Sequence, residues 1–132
     1  MDNKKKTKSA VLRISSKYSY IFNAIKSGKK KTETRAGSSK FINIKRGDTL
    51  VFVCGKEKFE KKVKKVKKFK DVSSLLKVYK PQDINPKTRN LEESEKMYYS
   101  FPGYREKIKK YGIIAFELLK LKSRLKSSKI RE

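Results

Sequence analysis

The first glycine of the chain opens a short segment in which cations, threonines and one carboxylate follow one another. The segment consists of Gly28-Lys29-Lys30-Lys31-Thr32-Glu33-Thr34-Arg35. Its β-branched residues predict a strand over 31–35, and strand alternation would place Lys31, Glu33 and Arg35 on one face. Lys30 stands at the start of this strand, from where its amine can reach the side chains on that face. A carboxylate fixed beside Lys30 and Arg35 would aim both cations at a phosphate or a base edge. A structural ion pair that closes the sheet is the alternative interpretation.

Side chains that serve most nucleophilic and metal-dependent enzymes are scarce in this sequence. Histidine is absent, and cysteine occurs once, at Cys54. This composition excludes His-based acid–base catalysis, Ser-His and Cys-His nucleophiles and ordinary zinc sites. The lysine-rich segment also fails as a phosphate-binding P-loop, because Asn23 stands where that loop needs a glycine and Lys30 where it needs serine or threonine. We therefore predict no metal, no cofactor and a buried structural thiol at Cys54.

Net charge is the most extreme property of the sequence. Its 132 residues fit a single domain and include 38 Lys and Arg against 13 Asp and Glu, a net charge of +25. Self-repulsion of this size predicts a polyanionic partner, most often nucleic acid and next an anionic membrane surface. The alternative is that the lysines only solvate the surface.

The distribution of apolar residues bears on the compartment. No apolar stretch approaches the eighteen or so residues of a membrane span, and the basic N-terminus lacks the apolar region of a secretion signal. We therefore expect an intracellular protein, cytoplasmic or nuclear, that does not engage membranes. Nothing in the sequence indicates an oligomeric state.

Hydrophobic patterns predict one α+β domain over residues 10–119. A disordered basic arm at 1–9 and a basic tail at 120–132 are expected to flank it. Besides the strand at 31–35, the predicted strands lie at 11–14, 49–54 and 113–119, the last in the centre of the sheet. The predicted helices end at Gly28 and before Pro81, and a third covers 91–99, whereas 82–89 is expected to be a loop.

The segment from Glu57 to Lys70 has two possible conformations. Its apolar residues are spaced by three and four, which by periodicity favours a lysine-studded helix: Phe59, Val63, Val66 and Phe69. Valine and phenylalanine are nevertheless strand formers, and Gly55 suits a hairpin turn. Periodicity alone leaves both conformations open.

The segment after the first helix resembles the G-x-K-x-x-E-x-R signature of the ASCH domain family, through Gly28, Lys30, Glu33 and Arg35. An apolar helix precedes this signature, Arg46-Gly47-Asp48 resembles the entry to the family's next strand, and residues 112–115 resemble its closing strand. The resemblance covers about residues 10–119. It implies a small PUA-like β-barrel of five or six strands with short decorating helices, and a strand with a bulge or strong twist at 57–70.

The resemblance also implies a ligand, because PUA-like relatives bind RNA or modified bases in a cleft at this signature. The expected partner is RNA or other single-stranded nucleic acid, with DNA possible. An aromatic group near residues 98–104 could stack bases, although core packing is the more frequent use of such residues. The predicted nucleic-acid contacts are Lys30, Lys31, Glu33, Arg35, Lys40, Lys45, Arg46, Tyr104 and Arg105.

An enzymatic function is the principal alternative. One ASCH branch hydrolyses N4-acetylcytidine with a lysine, a threonine and a distant glutamate, and the lysine position matches Lys30. Glu33 replaces the threonine, while strand alternation places Thr32 and Thr34 on the opposite face. Candidates for the distant carboxylate are Glu92, Glu93 and Glu95. If the protein is an enzyme, Lys30 and Glu33 are the residues expected to act. Two further alternatives are a ribonuclease and a basic module that binds other proteins in transcription.

Overall fold

The computed structural model describes residues 7–119 of the chain. The expected basic tail lies outside the described residues, as does the expected basic arm up to residue 6. Ser9 already belongs to the first strand. No helix in this part of the chain has the length and apolar character needed to cross a membrane.

Five strands form one curled sheet, a half-barrel. They are β1 Ser9–Arg13, β2 Thr32–Ala36, β3 Thr49–Cys54, β4 Glu57–Phe69 and β5 Ile113–Leu118. Their order across the sheet is β1-β3-β4-β5-β2, with β1 and β3 parallel and every other neighbouring pair antiparallel. The predicted α+β architecture with five strands is thus confirmed.

Five short helices decorate the sheet. They are α1 Ser19–Ser27, α2 Val72–Leu75, α3 Pro81–Ile84, α4 Leu91–Ser100 and α5 Tyr104–Tyr111, and a 3-10 turn at Ser16–Tyr18 precedes α1. The prediction of a loop at 82–89 is wrong at its start, because Pro81 opens α3 and the Asp83 carboxylate accepts the Lys80 backbone N–H at 3.0 Å. Helix α5 was not predicted, although Tyr104, Ile108 and Tyr111 recur at helical spacing and Gly112 ends it.

The long strand β4 resolves the ambiguity at 57–70 in favour of a strand. Its first half pairs with β3 and its second half with β5, with a register shift between Val63 and Lys65. This bulge adds one residue, so that Val63 and Val66 both turn toward the core although they are three residues apart. The three-residue spacing of Val63 and Val66, which resembles that of a helix, is therefore explained by a bulge in a strand.

Strand β5 lies between two hydrophobic clusters. Ile114 and Phe116 pack with α1 and the inside of the curled sheet, whereas Ile113 and Ala115 pack under the helices α2 to α5. Burial on both faces explains its uninterrupted apolar sequence. β5 is an interior strand with β4 and β2 as neighbours, but β4 occupies the central position. Cys54, at the end of β3, is half-buried against the first cluster rather than fully buried.

Candidate functional site

Strand β2 carries the charged signature at one edge of the sheet. Helix α1 ends at Gly28, whose φ of 89° lies in the left-handed region that glycine favours. The chain then turns back, and the Lys30 backbone N–H bonds the Ala24 carbonyl at 2.9 Å. Because β2 hydrogen-bonds only to β5 within the sheet, its outer edge faces the helices and the end of β1.

The structure brings Lys30, Glu33 and Arg35 together around one carboxylate. Glu33 Oε1 lies 3.2 Å from Lys30 Nζ, and Glu33 Oε2 accepts a hydrogen bond from Arg35 Nε at 3.0 Å. Glu33 is 7% exposed and Lys30 is 4% exposed. Each oxygen of the buried carboxylate therefore has its own cation.

Lys30 is the most deeply buried cation of this cluster. Its ammonium group also donates to the Thr32 carbonyl, so that Lys30 is held by its own strand. Burial lowers the pKa of Lys30, and the adjacent Glu33 carboxylate opposes that shift. Lys30 consequently depends on Glu33 to remain charged.

Arg35 links the two edges of the half-barrel. Its Nη2 donates to the Arg13 carbonyl at the end of β1, at 3.2 Å, while its Nε holds Glu33. This geometry supports the structural interpretation of the Glu33–Arg35 pair. Among residues 7–119, no acceptor hydrogen-bonds Arg35 Nη1, so the guanidinium keeps a donor for a ligand.

Thr34 points away from this charged cluster, as strand alternation predicts. Its hydroxyl shares a short hydrogen bond with the hydroxyl of Tyr98, which is buried in α4. Burial raises the pKa of Tyr98, so the phenol is neutral. Thr34 thereby anchors the aromatic residues of α4 to the strand.

A cavity of about 450 Å³ opens beside β2, and we call it the aromatic cavity. Its polar wall comes from β2 and the end of β1, with Lys17 at its rim. Its apolar wall comes from the 3-10 turn and from the region between α4 and α5. Its lining includes Arg13, Lys17, Tyr18, Glu33, Thr34, Arg35, Tyr98, Phe101 and Tyr104.

The aromatic wall is held by ring contacts. Tyr18 meets Phe101 edge to face at a centroid distance of 5.6 Å, and Phe101 meets Tyr104 in the same way at 5.0 Å. Tyr104 lies nearly parallel to Tyr98 at 6.4 Å. These rings therefore pack on one another as core aromatics do, and they also border the cavity.

The remaining predicted contact residues lie apart from the aromatic cavity. Lys31 is exposed just before β2, and Lys40, Lys45 and Arg46 are exposed on the connection between β2 and β3. The Arg105 guanidinium lies over the Tyr99 ring at 4.2 Å. Of the predicted set, Glu33, Arg35 and Tyr104 line this cavity.

Sequence reasoning missed the wall that comes from the start of α1 and the end of β1. Arg13, Lys17 and Tyr18 line the aromatic cavity, and no local pattern in the sequence singles them out.

The carboxylates proposed for an amidohydrolase lie elsewhere. Glu93 pairs with Arg89 at 3.0 Å at the start of α4, and neither Glu92, Glu93 nor Glu95 lines the aromatic cavity. Within residues 7–119, no three His, Cys, Asp or Glu side chains are arranged to hold a metal ion.

Comparison with known proteins identifies relatives of this architecture. A family model described as ASCH domain matches residues 17–122. The chain is similar to the crystal structure of a hypothetical protein, with 32% identity, a TM-score of 0.68, and coverage of 83% of this chain and 97% of that one. It is also similar to the solution NMR structure of a Pyrococcus furiosus protein, with 28% identity, a TM-score of 0.67, and coverage of 86% and 97%. No curated protein matches the chain.

Proposed function

The chain belongs to the ASCH domain family, and from this membership and the geometry of β2 we propose that it binds single-stranded nucleic acid, RNA in preference to DNA. One base would occupy the aromatic cavity while lysines hold the flanking phosphates. The observation that carries the proposal is the union, in one cavity, of aromatic walls with the buried Glu33–Arg35 pair.

The size and walls of the aromatic cavity suit an unstacked base. A volume of about 450 Å³ falls in the range of small-ligand sites. Bases that have left a duplex are held by stacking on aromatic side chains and by hydrogen bonds to their edges. Tyr18, Phe101 and Tyr104 provide the first contact, and Arg35 provides the second.

The charge of the cavity favours a neutral base with acceptor groups over a cation. Glu33 is its one carboxylate, and both oxygens already engage Lys30 and Arg35. Arg13, Lys17 and Arg35 contribute positive charge. A ligand is therefore met mainly by donors, which pair with carbonyl and ring-nitrogen acceptors.

Exposed lysines would supply affinity that does not depend on sequence. Six exposed lysines lie on β4 or directly after it: Lys58, Lys62, Lys64, Lys65, Lys68 and Lys70. Phosphate contacts of this kind release counterions, so binding should weaken steeply as salt rises.

The proposal is tested with labelled single-stranded RNA, duplex RNA and single-stranded DNA over a salt series. Arg35→Gln removes the guanidinium from the cavity, and Arg105→Gln removes an arginine outside it with the same change in charge. We expect Arg35→Gln to weaken single-stranded RNA binding by about tenfold, and Arg105→Gln to have a much smaller effect. Circular dichroism would verify that both variants are folded.

Two outcomes would contradict the proposal. Equal binding of all polyanions by the wild type and by both variants would mean that net charge alone explains the affinity. Turnover of N4-acetylcytidine that disappears in Lys30→Ala would support the enzymatic alternative instead.

A further inference from the structure

A second cavity lies beside the aromatic cavity, and we infer that it is a phosphate subsite for the nucleotide next to the bound base. This inference rests on the proposed function. The second cavity has a volume of about 600 Å³, and we call it the lysine cavity. Its charged lining residues are Lys29, Lys30, Lys31, Lys64, Asp83 and Glu117.

The two cavities adjoin through a single ion pair. Lys30 lines the lysine cavity and Glu33 lines the aromatic cavity, and 3.2 Å separates Lys30 Nζ from Glu33 Oε1. At this point the two cavities are therefore separated only by the side chains of Lys30 and Glu33.

Both cavities also lie between the same two elements. On α1, Ala24 lines the lysine cavity, whereas Ile21, one turn earlier, lines the aromatic cavity. On α3, Asp83 faces the first and Ile84 the second. Helices α1 and α3 therefore border both cavities, one on each side of the Lys30–Glu33 ion pair.

Three amines of the lysine cavity have no ion-pair partner among residues 7–119. Lys29, Lys31 and Lys64 are exposed, and the ion pairs that the described part of the chain forms involve other lysines. Lys30, by contrast, forms an ion pair with Glu33. Three lysines are consequently available to an anion.

The two carboxylates of the lysine cavity are already engaged. Asp83 caps α3 by accepting the Lys80 backbone N–H at 3.0 Å. Glu117 accepts the Tyr79 hydroxyl at 2.6 Å and lies 3.9 Å from Lys67 Nζ. Both carboxylates keep their charge, but four lysines outnumber them in the lining, which is therefore net positive and suits a phosphodiester.

The ligand implied by both cavities together is a strand of at least two nucleotides. The base is held by the aromatic cavity, and the neighbouring phosphate by Lys31 and Lys64. A nucleoside would fill the aromatic cavity alone and would leave these lysines without a partner.

The test compares two double variants with equal loss of charge. Lys31→Ala/Lys64→Ala removes amines of the lysine cavity, and Lys56→Ala/Lys77→Ala removes two exposed lysines that line neither cavity as a control. The probes are a fluorescently labelled ten-nucleotide RNA, the dinucleotide UpU and the nucleoside uridine.

We expect Lys31→Ala/Lys64→Ala to weaken binding of the ten-nucleotide RNA by about tenfold at low salt. The slope of log affinity against log salt should fall by about 1.4, or 0.7 per lost phosphate contact. The same variant should weaken UpU but not uridine, and the control variant should change the binding of each probe much less.

Equal losses in the two double variants, or equal weakening of UpU and uridine, would overturn the phosphate subsite. The proposed function would survive such a result if wild-type binding still depended on Arg35. If the wild type binds no single-stranded nucleic acid at all, the proposed function fails, and the phosphate subsite with it.

Discussion

Glu33 sets the electrostatics of both cavities because it stands between two cations that have little access to water. Removing a cation from water is costly, and a buried ion pair is maintained only when each charge keeps its partner. Lys30 has the Glu33 carboxylate and the Thr32 carbonyl, whereas Arg35 has the same carboxylate and the Arg13 carbonyl. The residue that would be a nucleophilic threonine in the amidohydrolase branch here serves as the shared anion of an ordered cluster.

Replacing Glu33 by glutamine should therefore destabilise the fold. The amide cannot neutralise Lys30, so the pKa of Lys30 should fall further below 10.5 and a buried charge would lose its partner. We expect the free energy of unfolding to decrease by about 3 kcal/mol, as measured by urea denaturation near neutral pH. Glu60→Gln, the same change at an exposed site on β4, is the control. Equal stability of Glu33→Gln and the wild type would show that water reaches Lys30 and solvates it.

At the scale of elements, Gly112 determines how α5 joins β5. Its N–H closes the last turn of α5 onto the Ile108 carbonyl at 2.8 Å, and its carbonyl accepts the Gly37 N–H after β2 at 2.8 Å. Its φ of 78° and ψ of −161° belong to a region that only glycine occupies readily. One residue thus couples the helix beside the aromatic cavity to both β5 and β2.

Gly112→Ala should be far more destabilising than the same substitution at Gly55. A Cβ at Gly112 would overlap the Phe69 carbonyl oxygen of β4, whereas a Cβ at Gly55, which also has a positive φ, would meet nothing within 4 Å. We expect a loss of about 3 kcal/mol at Gly112, from backbone strain and overlap together, and about 1 kcal/mol at Gly55. Thermal unfolding of the two variants measures the difference, and similar transition temperatures would contradict this account.

The elements also show what the sequence was able to predict. Strand β3 and helix α4 follow from local patterns and were predicted. The strand at 57–70 required the family resemblance, because the bulge after Val63 produces a helical spacing. Helix α5 was missed despite the helical spacing of Tyr104, Ile108 and Tyr111, whereas the aromatic cavity joins residues from distant parts of the chain, such as Tyr18 and Phe101. Their proximity is a property of the tertiary fold.

Across the whole molecule, a small core has to hold together a large excess of positive charge. The two hydrophobic clusters share β5 and leave the lysines of β4 and of the lysine cavity in solvent. The described residues form few ion pairs, and two of these are at Glu33. Ion pairs within the fold do not change the net charge, so the whole excess of +25 is left for salt or a bound polyanion to compensate.

Added salt should consequently stabilise the protein. Raising sodium chloride from about 0.05 M to about 0.5 M shortens the screening length from roughly 14 Å to roughly 4 Å. Weaker self-repulsion should raise the melting temperature by several degrees, roughly the effect of 1 to 2 kcal/mol for a domain of this size. Lys62→Gln/Lys65→Gln, which removes two exposed charges from β4, should melt higher than the wild type at low salt and gain less from added salt. A melting temperature that falls with salt would mean that ion pairs outweigh self-repulsion, and the excess charge would then no longer argue for a polyanionic partner.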